Sequence, residues 1–309
     1  MEEQAVEGRA VGGWTAEGPL ALGDVGVSRV VELRSPFLPA GTFVPGAPED
    51  VWHANEDWLA PDFWDPGSGR VVATVQTWVL RSEGKVVLVD TGVGNGRERP
   101  GSPHFEHLDT DFLDRLAAVG VRPEDVDVVV NTHLHGDHVG WNTRDVDGDW
   151  VPTFPNARYL VPAADHAYFG PDRGDAVRED HRMIFADSVA PVVRSGQAVL
   201  WEGAHRIDGN LVLESAPGHT PGSSVLRLDS GGERAVFVGD LLHTPVQILE
   251  PGCSSCLCED PRQAAESRIR VLGRAADERE LVVPAHFGGS GAAEVRRAGG
   301  KFEISRWAA

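Results

Sequence analysis

The chain has 309 residues, enough for one large domain or two small ones. Lys and Arg number 28 against 47 Asp and Glu, a net charge of −19. A surface that acidic repels nucleic-acid phosphates and anionic membranes, and no basic run offsets it. No apolar stretch reaches membrane-spanning length, Met1 to Gln4 lack the basic and apolar regions of a secretory leader, and three cysteines do not make a disulfide framework. The expectation is a soluble, cytoplasmic, globular protein with no nucleic-acid or membrane partner.

Residues 1–35 hold a short polar start and one apolar run, Val25 to Leu33, expected as an edge strand. Residues 36–70 are rich in proline and carry Phe37, Phe43, Trp52, Trp58, Phe63 and Trp64 with no helical or strand period. They are expected to form an ordered loop, with Trp58 and Trp64 in a wall of the substrate pocket. Val71 to Leu80 reads as a strand, Arg81 to Lys85 as a turn, and Val86 to Val89 as an apolar strand ending in Asp90-Thr91-Gly92. Glycines after a strand suggest a dinucleotide loop, but no helix starts directly behind them. Asp109 or Thr110 caps a helix with Phe112, Leu113, Leu116 and Ala117 on one face, ended by Gly120.

Val126 to Val130 then reads as a buried strand running into Asn131-Thr132-His133-Leu134-His135-Gly136-Asp137-His138. Neutral imidazoles and carboxylates are ligands for zinc and similar ions. His133 and His135, two apart, leave one face of an extended segment and can meet one metal. Asp137 and His138 lie past Gly136, where the chain can turn them toward a second.

Arg158 to Val161 is expected as a strand, with helical segments near Ala163–Tyr168 and Asp180–Arg194. His166, His181 and His205 have no second ligand type beside them and read as surface or capping residues. Three further apolar strands each end in a potential ligand: Leu211–Ser215 before His219, Ala235–Val238 before Gly239-Asp240, and Leu281–Pro284 before His286. These supply the His, Asp and His that a two-metal site still lacks. Cys253, Cys256 and Cys258 have a spacing that can bind zinc or do redox chemistry, but no fourth cysteine completes a site, and they read as reduced loop cysteines near the pocket. Asp260-Pro261-Arg262-Gln263 opens a helix with a capping residue, and Ala264, Ala265, Ile269 and Leu272 are expected on its buried face.

The motif His133-x-His135-x-Asp137-His138, His219 in Gly-His-Thr-Pro-Gly, Gly239-Asp240 and His286 resemble the metallo-β-lactamase superfamily over roughly residues 70–290. The resemblance implies an α/β fold, a four-layer αβ/βα sandwich of two mixed sheets with helices outside and a metal site at one edge between them. Residues 1–309 would form a single domain of that fold. It also implies that His133, His135 and His219 hold a first metal, that Asp137, His138 and His286 hold a second, and that Asp240 bridges both. Asp90 matches a carboxylate that steadies ligands without binding metal.

Departures within the superfamily narrow the choice. Position 135 is His, not the Glu of the flavin-partnered di-iron members, and position 240 is Asp, not the Cys of the zinc β-lactamases proper. Too few residues separate Asp240 from His286 for the extra domain of the nucleases, and the 23 residues after His286 are too few for the helical domain of glyoxalase II. What remains is similar to the group containing N-acyl homoserine lactonases and methyl parathion hydrolases, the latter especially at Phe154–Ala157 and Phe185–Trp201. The implied activity is that of a dinuclear zinc hydrolase acting on a carboxylic ester or lactone through a bridging hydroxide, with Fe, Mn or Co as other metals. Phosphotriester hydrolysis is the nearest variant, and an iron-dependent sulfur dioxygenase or a metal-binding member without turnover is the non-hydrolytic alternative. The absence of Gly-x-Ser-x-Gly weighs against a serine hydrolase. The partner is a small-molecule substrate, and the reading leaves room for a homodimer. Asp137, Asp240 and His243 are the candidate catalytic residues; His243 stands where the lactonases this chain resembles have a tyrosine, in position to assist the substrate carbonyl or the leaving alkoxide.

Overall fold

A computed structural model describes residues 20–308, so the acidic start lies outside the described residues. Two large sheets form its frame. The first runs in the order Leu20–Leu22, Val25–Pro39, Arg70–Ser82, Lys85–Val89, Val128–Val130, Arg158–Pro162 and Ala198–Trp201, with Trp64–Asp65 added beside Arg70–Ser82. The second runs Ala204–Arg206, Leu211–Ser215, Ser224–Ser230, Glu233–Gly239, Leu281–Pro284, Ala293–Ala298 and Lys301–Trp307.

The side-chain alternation of these strands dictates the layers. Leu80, Val87, Val89 and Val130 of the first sheet meet Leu213, Leu226, Phe237 and Val283 of the second in the central core. Their neighbours Val79, Leu88 and Val129 point the other way, onto Phe112 and Leu116 of the helix Phe112–Ala118 and onto Phe169 and Val192. Val225, Val236 and Val282 likewise turn outward onto Val271, Leu272 and Ala275 of the helix Pro261–Glu278. Both sheets are thus buried on both faces, which is why their strands read as near-continuous apolar runs. The result is the four-layer sandwich with helices outside.

Strand direction places the site. Lys85–Val89, Val128–Val130 and Arg158–Pro162 are mutually parallel, so their C-terminal ends share one edge. Leu211–Ser215 and Glu233–Gly239 both flank Ser224–Ser230 antiparallel, and Leu281–Pro284 runs parallel to Glu233–Gly239, so these three also end together. The two edges are laced: Ser224 donates both its backbone N–H and its hydroxyl to the Thr132 carbonyl, at 3.0 and 2.8 Å.

Several expectations are corrected. The strand expected at an edge over Val25–Leu33 runs to Pro39 and lies inside the sheet, paired along its length with Arg70–Ser82. The segment 36–70 is not one loop but the end of that strand followed by the turns Ala40–Phe43, Glu49–His53 and Glu56–Leu59. Each helical piece is a turn or so long, too short for a detectable period. In Pro261–Glu278, capped by Asp260 accepting from the Gln263 N–H, the buried face is Ala264, Ser267, Arg268, Val271, Leu272 and Ala275, while Ile269 is exposed. Among the described residues no helix is long and apolar enough to cross a membrane.

Gly239 makes the turn that delivers Asp240. Its φ is +50°, and a Cβ there would stand 2.7 Å from Thr132 Oγ1. Gly239→Ala is expected to cost about 1–3 kcal/mol in urea unfolding; an unchanged midpoint would show that the turn tolerates a side chain.

Candidate metal centre

Asp90 and Thr132 organise the first group of ligand candidates. Asp90 takes the Thr132 N–H at 2.8 Å, the Thr132 hydroxyl at 2.9 Å and Nδ1 of His138 at 2.9 Å. With its proton given to Asp90, the Thr132 oxygen accepts from His133 Nδ1 at 3.1 Å. His286 Nδ1 donates to the Thr74 carbonyl at 2.9 Å, and His219 Nδ1 lies 3.5 Å from Cys258 Sγ. Four rings therefore set Nδ1 against an acceptor and turn Nε2 inward. His135 is turned the other way, with Nδ1 3.1 Å from His133 Nε2 and 2.9 Å from His219 Nε2.

The inward atoms surround one carboxylate. Oδ2 of Asp240 is 3.7 Å from His133 Nε2 and 3.2 Å from His219 Nε2, whereas Oδ1 is 3.2 Å from His138 Nε2 and 2.9 Å from His286 Nε2. Asp137 Oδ2 stands 3.7 and 3.6 Å from the same two nitrogens, His138 and His286 Nε2. Two groups result, His133, His135, His219 and Asp240 on one side, Asp137, His138 and His286 on the other, with the donor atoms of each within 4.8 Å of one another.

This donor set fits divalent cations. His138 Nε2 and Asp240 Oδ1 are buried without a hydrogen-bond partner among the described residues. Burial alone would lower the His138 pKa, but Asp240, Asp137 and Asp90 outweigh it and hold the ring well above its ordinary value. His219 is pushed up to about 9 by Asp240 against the same burial, while burial and adjacent imidazoles hold His133 and His135 well below. Burial would raise the Asp240 carboxyl, but His138, His286 and His243 hold it well below the carboxylate range. Hydrogen bonding thus leaves Nε2 bare while the carboxylates draw positive charge to it. Protons on His138 and His219 would ease the charge but leave His133 Nε2 facing His135 Nδ1. Divalent cations satisfy both demands together, and the fold with this His/Asp cluster supports divalent-metal binding.

Two buried acids outside the ligand set brace the loops. Asp165, pushed up to about 6 by burial, accepts from Leu134 N–H at 3.0 Å, Thr220 hydroxyl at 2.8 Å and Gly222 N–H at 2.6 Å. It ties the loop of His133 and His135 to that of His219. Glu32 accepts from Val93 N–H at 2.6 Å, Gly94 N–H at 3.1 Å and Trp141 Nε1 at 2.7 Å, fixing the turn behind Asp90. Sequence reasoning missed both. Glu32 breaks an apolar run, the one signal it gave.

The centre floors a cavity of about 310 Å³ lined by Asp137, Asp240, His135, His243 and His286, and walled by Leu33, Phe37, Phe43, Phe105, Ile184 and Leu257. His243 Nε2 lies 3.1 Å from Asp240 Oδ2, its Nδ1 has no partner among the described residues, and burial lowers it to about 4, so the ring is neutral. Trp58 and Trp64, expected in the wall, are not there. Trp64 packs on Trp52 in the outer core and Trp58 on Trp307, and the aromatic wall comes from Phe37 and Phe43 of the same segment. His181, expected at the surface, is 8% exposed and lines the cavity 5.4 Å from the His135 ring. His166 and His205 stay outside it.

Fold and donors together define an α/β sandwich protein with a divalent-metal centre at its strand ends. The chain belongs to the metallo-beta-lactamase superfamily, whose family profile matches residues 71–286. It is 31% identical over 122 residues to the N-acyl homoserine lactonase AttM of Rhizobium radiobacter, covering 38% of this chain and 41% of that protein. It is 28% identical over 97 residues to the N-acyl homoserine lactonase AiiB of Agrobacterium fabrum strain C58, covering 28% and 35%. The chain therefore spans less than half the length of the curated relatives it matches. Among solved structures, hydrolase AbOPH of the beta lactamase superfamily superposes with a TM-score of 0.77 at 24% identity, covering 96% of this chain and 98% of that one. AidC, a dizinc quorum-quenching lactonase, gives 0.75 at 19%, covering 94% and 97%.

Asp165→Ala would strand two buried backbone N–H groups. It is expected to cost about 2–5 kcal/mol and to loosen bound metal. Thermal unfolding with and without added zinc checks this, and unchanged stability and metal retention would remove Asp165 from the frame.

Proposed function

We propose that the protein is a dinuclear, zinc-dependent hydrolase of lactones or carboxylic esters. The observation that carries this is the Asp240 carboxylate, with one oxygen toward His133 and His219 and the other toward His138 and His286. His133, His135, His219 and Asp240 would hold one ion, and Asp137, His138, His286 and Asp240 the other. Such ions supply Lewis acidity toward a carbonyl oxygen and lower the pKa of water. The lactonases among the relatives support the choice of bond broken.

The chain's own residues do the rest. Leu33, Phe37, Phe43 and Phe105 form an apolar wall for the acyl or aryl part of the substrate, with Phe37 and Phe105 stacked at 6.3 Å. Asp137 opens onto the cavity and can hold a proton released there. His243 has Nδ1 buried, so its Nε2 is the nitrogen that serves the site. In the neutral ring, Nε2–H faces Asp240 and the cavity and can donate to the oxygen that gains charge. Asp90 holds the Thr132–His133 corner and His138.

A hydrolysis panel of lactones, aryl esters and phosphotriesters, run beside metal analysis, tests the reading. Lactone or ester turnover that needs about two zinc ions per chain is expected. Turnover confined to phosphotriesters, or one iron with sulfur-oxidising activity, would overturn it. His243→Ala should keep its metals and slow lactones and alkyl esters by ~10²–10⁴-fold, while nitrophenyl esters suffer much less; a uniform loss would place His243 on Asp240 alone. Phe37→Ala should raise KM for bulky acyl groups more than for small ones, and equal effects on both would remove it from the substrate wall.

A further inference from the structure

Four imidazoles of the centre are fixed by what their Nδ1 touches, and one of the four is held differently. His138, His133 and His286 use oxygens, those of Asp90, Thr132 and the Thr74 carbonyl. His219 uses sulfur, with Cys258 Sγ at 3.5 Å. The ring of His219 is 0% exposed, so without that sulfur its Nδ1–H has no acceptor among the described residues. Cys258 lies on the ring face remote from Asp240 and outside both converging donor groups, so it acts on His219 and is not itself one of the ligand candidates.

The surrounding chain is built to hold that sulfur in place. Glu259 and Asp260, the next two residues, donate their backbone N–H groups to the carbonyls of His219 and Gly218 at 2.9 Å each. Side chain and backbone thus grip the same residue from one segment. Ser255 Oγ lies 3.5 Å from Cys258 Sγ and 3.4 Å from His243 Nε2, so the loop also touches a second of the histidines beside Asp240. Arg268, fully buried in the helix Pro261–Glu278, staples the loop from below. Its Nε donates to the Leu241 carbonyl at 2.7 Å, and its Nη1 to the carbonyls of Pro251 at 2.9 Å and Cys253 at 3.1 Å. One guanidinium therefore joins the residue after Asp240 to the cysteine loop.

We propose that Cys258 is a positioning residue for His219. Its sulfur accepts a hydrogen bond from Nδ1–H, fixes the tautomer and aims Nε2 at the donor group of His133, His135 and Asp240, which would hold an ion. The inference rests on the proposed metal centre. It assigns a role to one cysteine of the Cys-x-x-Cys-x-Cys stretch and none to Cys253 or Cys256.

The test uses the full chain, stripped of metal and titrated with zinc against a chromophoric chelator, and with cobalt for its visible spectrum. Cys258→Ala is expected to weaken one of the two dissociation constants by ~10–100-fold, leave the other unchanged and alter the cobalt spectrum. Cys258→Ser, whose hydroxyl also accepts, should recover most of the loss. Cys253→Ala and Cys256→Ala should bind as wild type, although Cys256 lines the same cavity. Unchanged binding by Cys258→Ala, equal weakening of both constants, no recovery with serine, or the same loss in Cys256→Ala would overturn the proposal. A wild type that takes up no zinc would overturn the metal centre itself, whereas two zinc ions with an indifferent Cys258→Ala would overturn this assignment alone.

Discussion

The structure depends on a single buried carboxylate. Asp240 is 5% exposed and has five imidazole nitrogens within 3.7 Å. A lone carboxylate in such a place would be costly to ionise, and five imidazoles packed together would be costly to protonate. Each makes the other tolerable only if positive charge sits between them. That constraint explains why His133, His138, His219 and His286 turn Nε2 toward Asp240 and tie the opposite edge of the ring, Nδ1, to an acceptor. The protein has fixed the donors before the cation arrives, the preorganisation that metal chemistry needs.

Holding so many polar groups in an apolar sandwich requires a rigid frame, and three buried groups supply it. Glu32 braces the turn behind Asp90. Asp165 locks the loop of His133 to that of His219. Arg268 locks the segment after Asp240 to the cysteine loop. Each spans two chain segments that carry ligands or their supports. Each is an ionisable residue that hydrogen-bonds at least two backbone groups, so it sets chain path and not merely side-chain position. The parallel strands contribute the other half, because they bring every ligand loop to one edge.

The ligand candidates were legible in the sequence because each follows an apolar strand, and a strand end is a fixed point. His133, His138, His219, Asp240 and His286 lie in two groups of neighbouring donor atoms. The braces were not legible, since Asp165 and Arg268 sit on helices whose apolar pattern gives a charged residue no special mark. Arg268 even shifted the expected face of its helix: Ala265 and Ile269 fit a helical stripe, yet the chain buries Ser267 and Arg268 instead. The wall was half legible. Aromatic content pointed to residues 36–70, but which rings face the cavity depends on three short turns that put Trp64 into the core and Phe43 into the wall. His181 was missed because a lone histidine on a helix carries no sign of what packs opposite it.

Anomalous diffraction at the zinc edge, from crystals grown with zinc, tests the central claim most directly. Two peaks are expected, one among His133, His135 and His219 and one among Asp137, His138 and His286, with Asp240 between them and an oxygen toward each. A single peak, or two peaks with the Asp240 carboxylate turned away, would contradict the bridging arrangement on which the proposed chemistry rests.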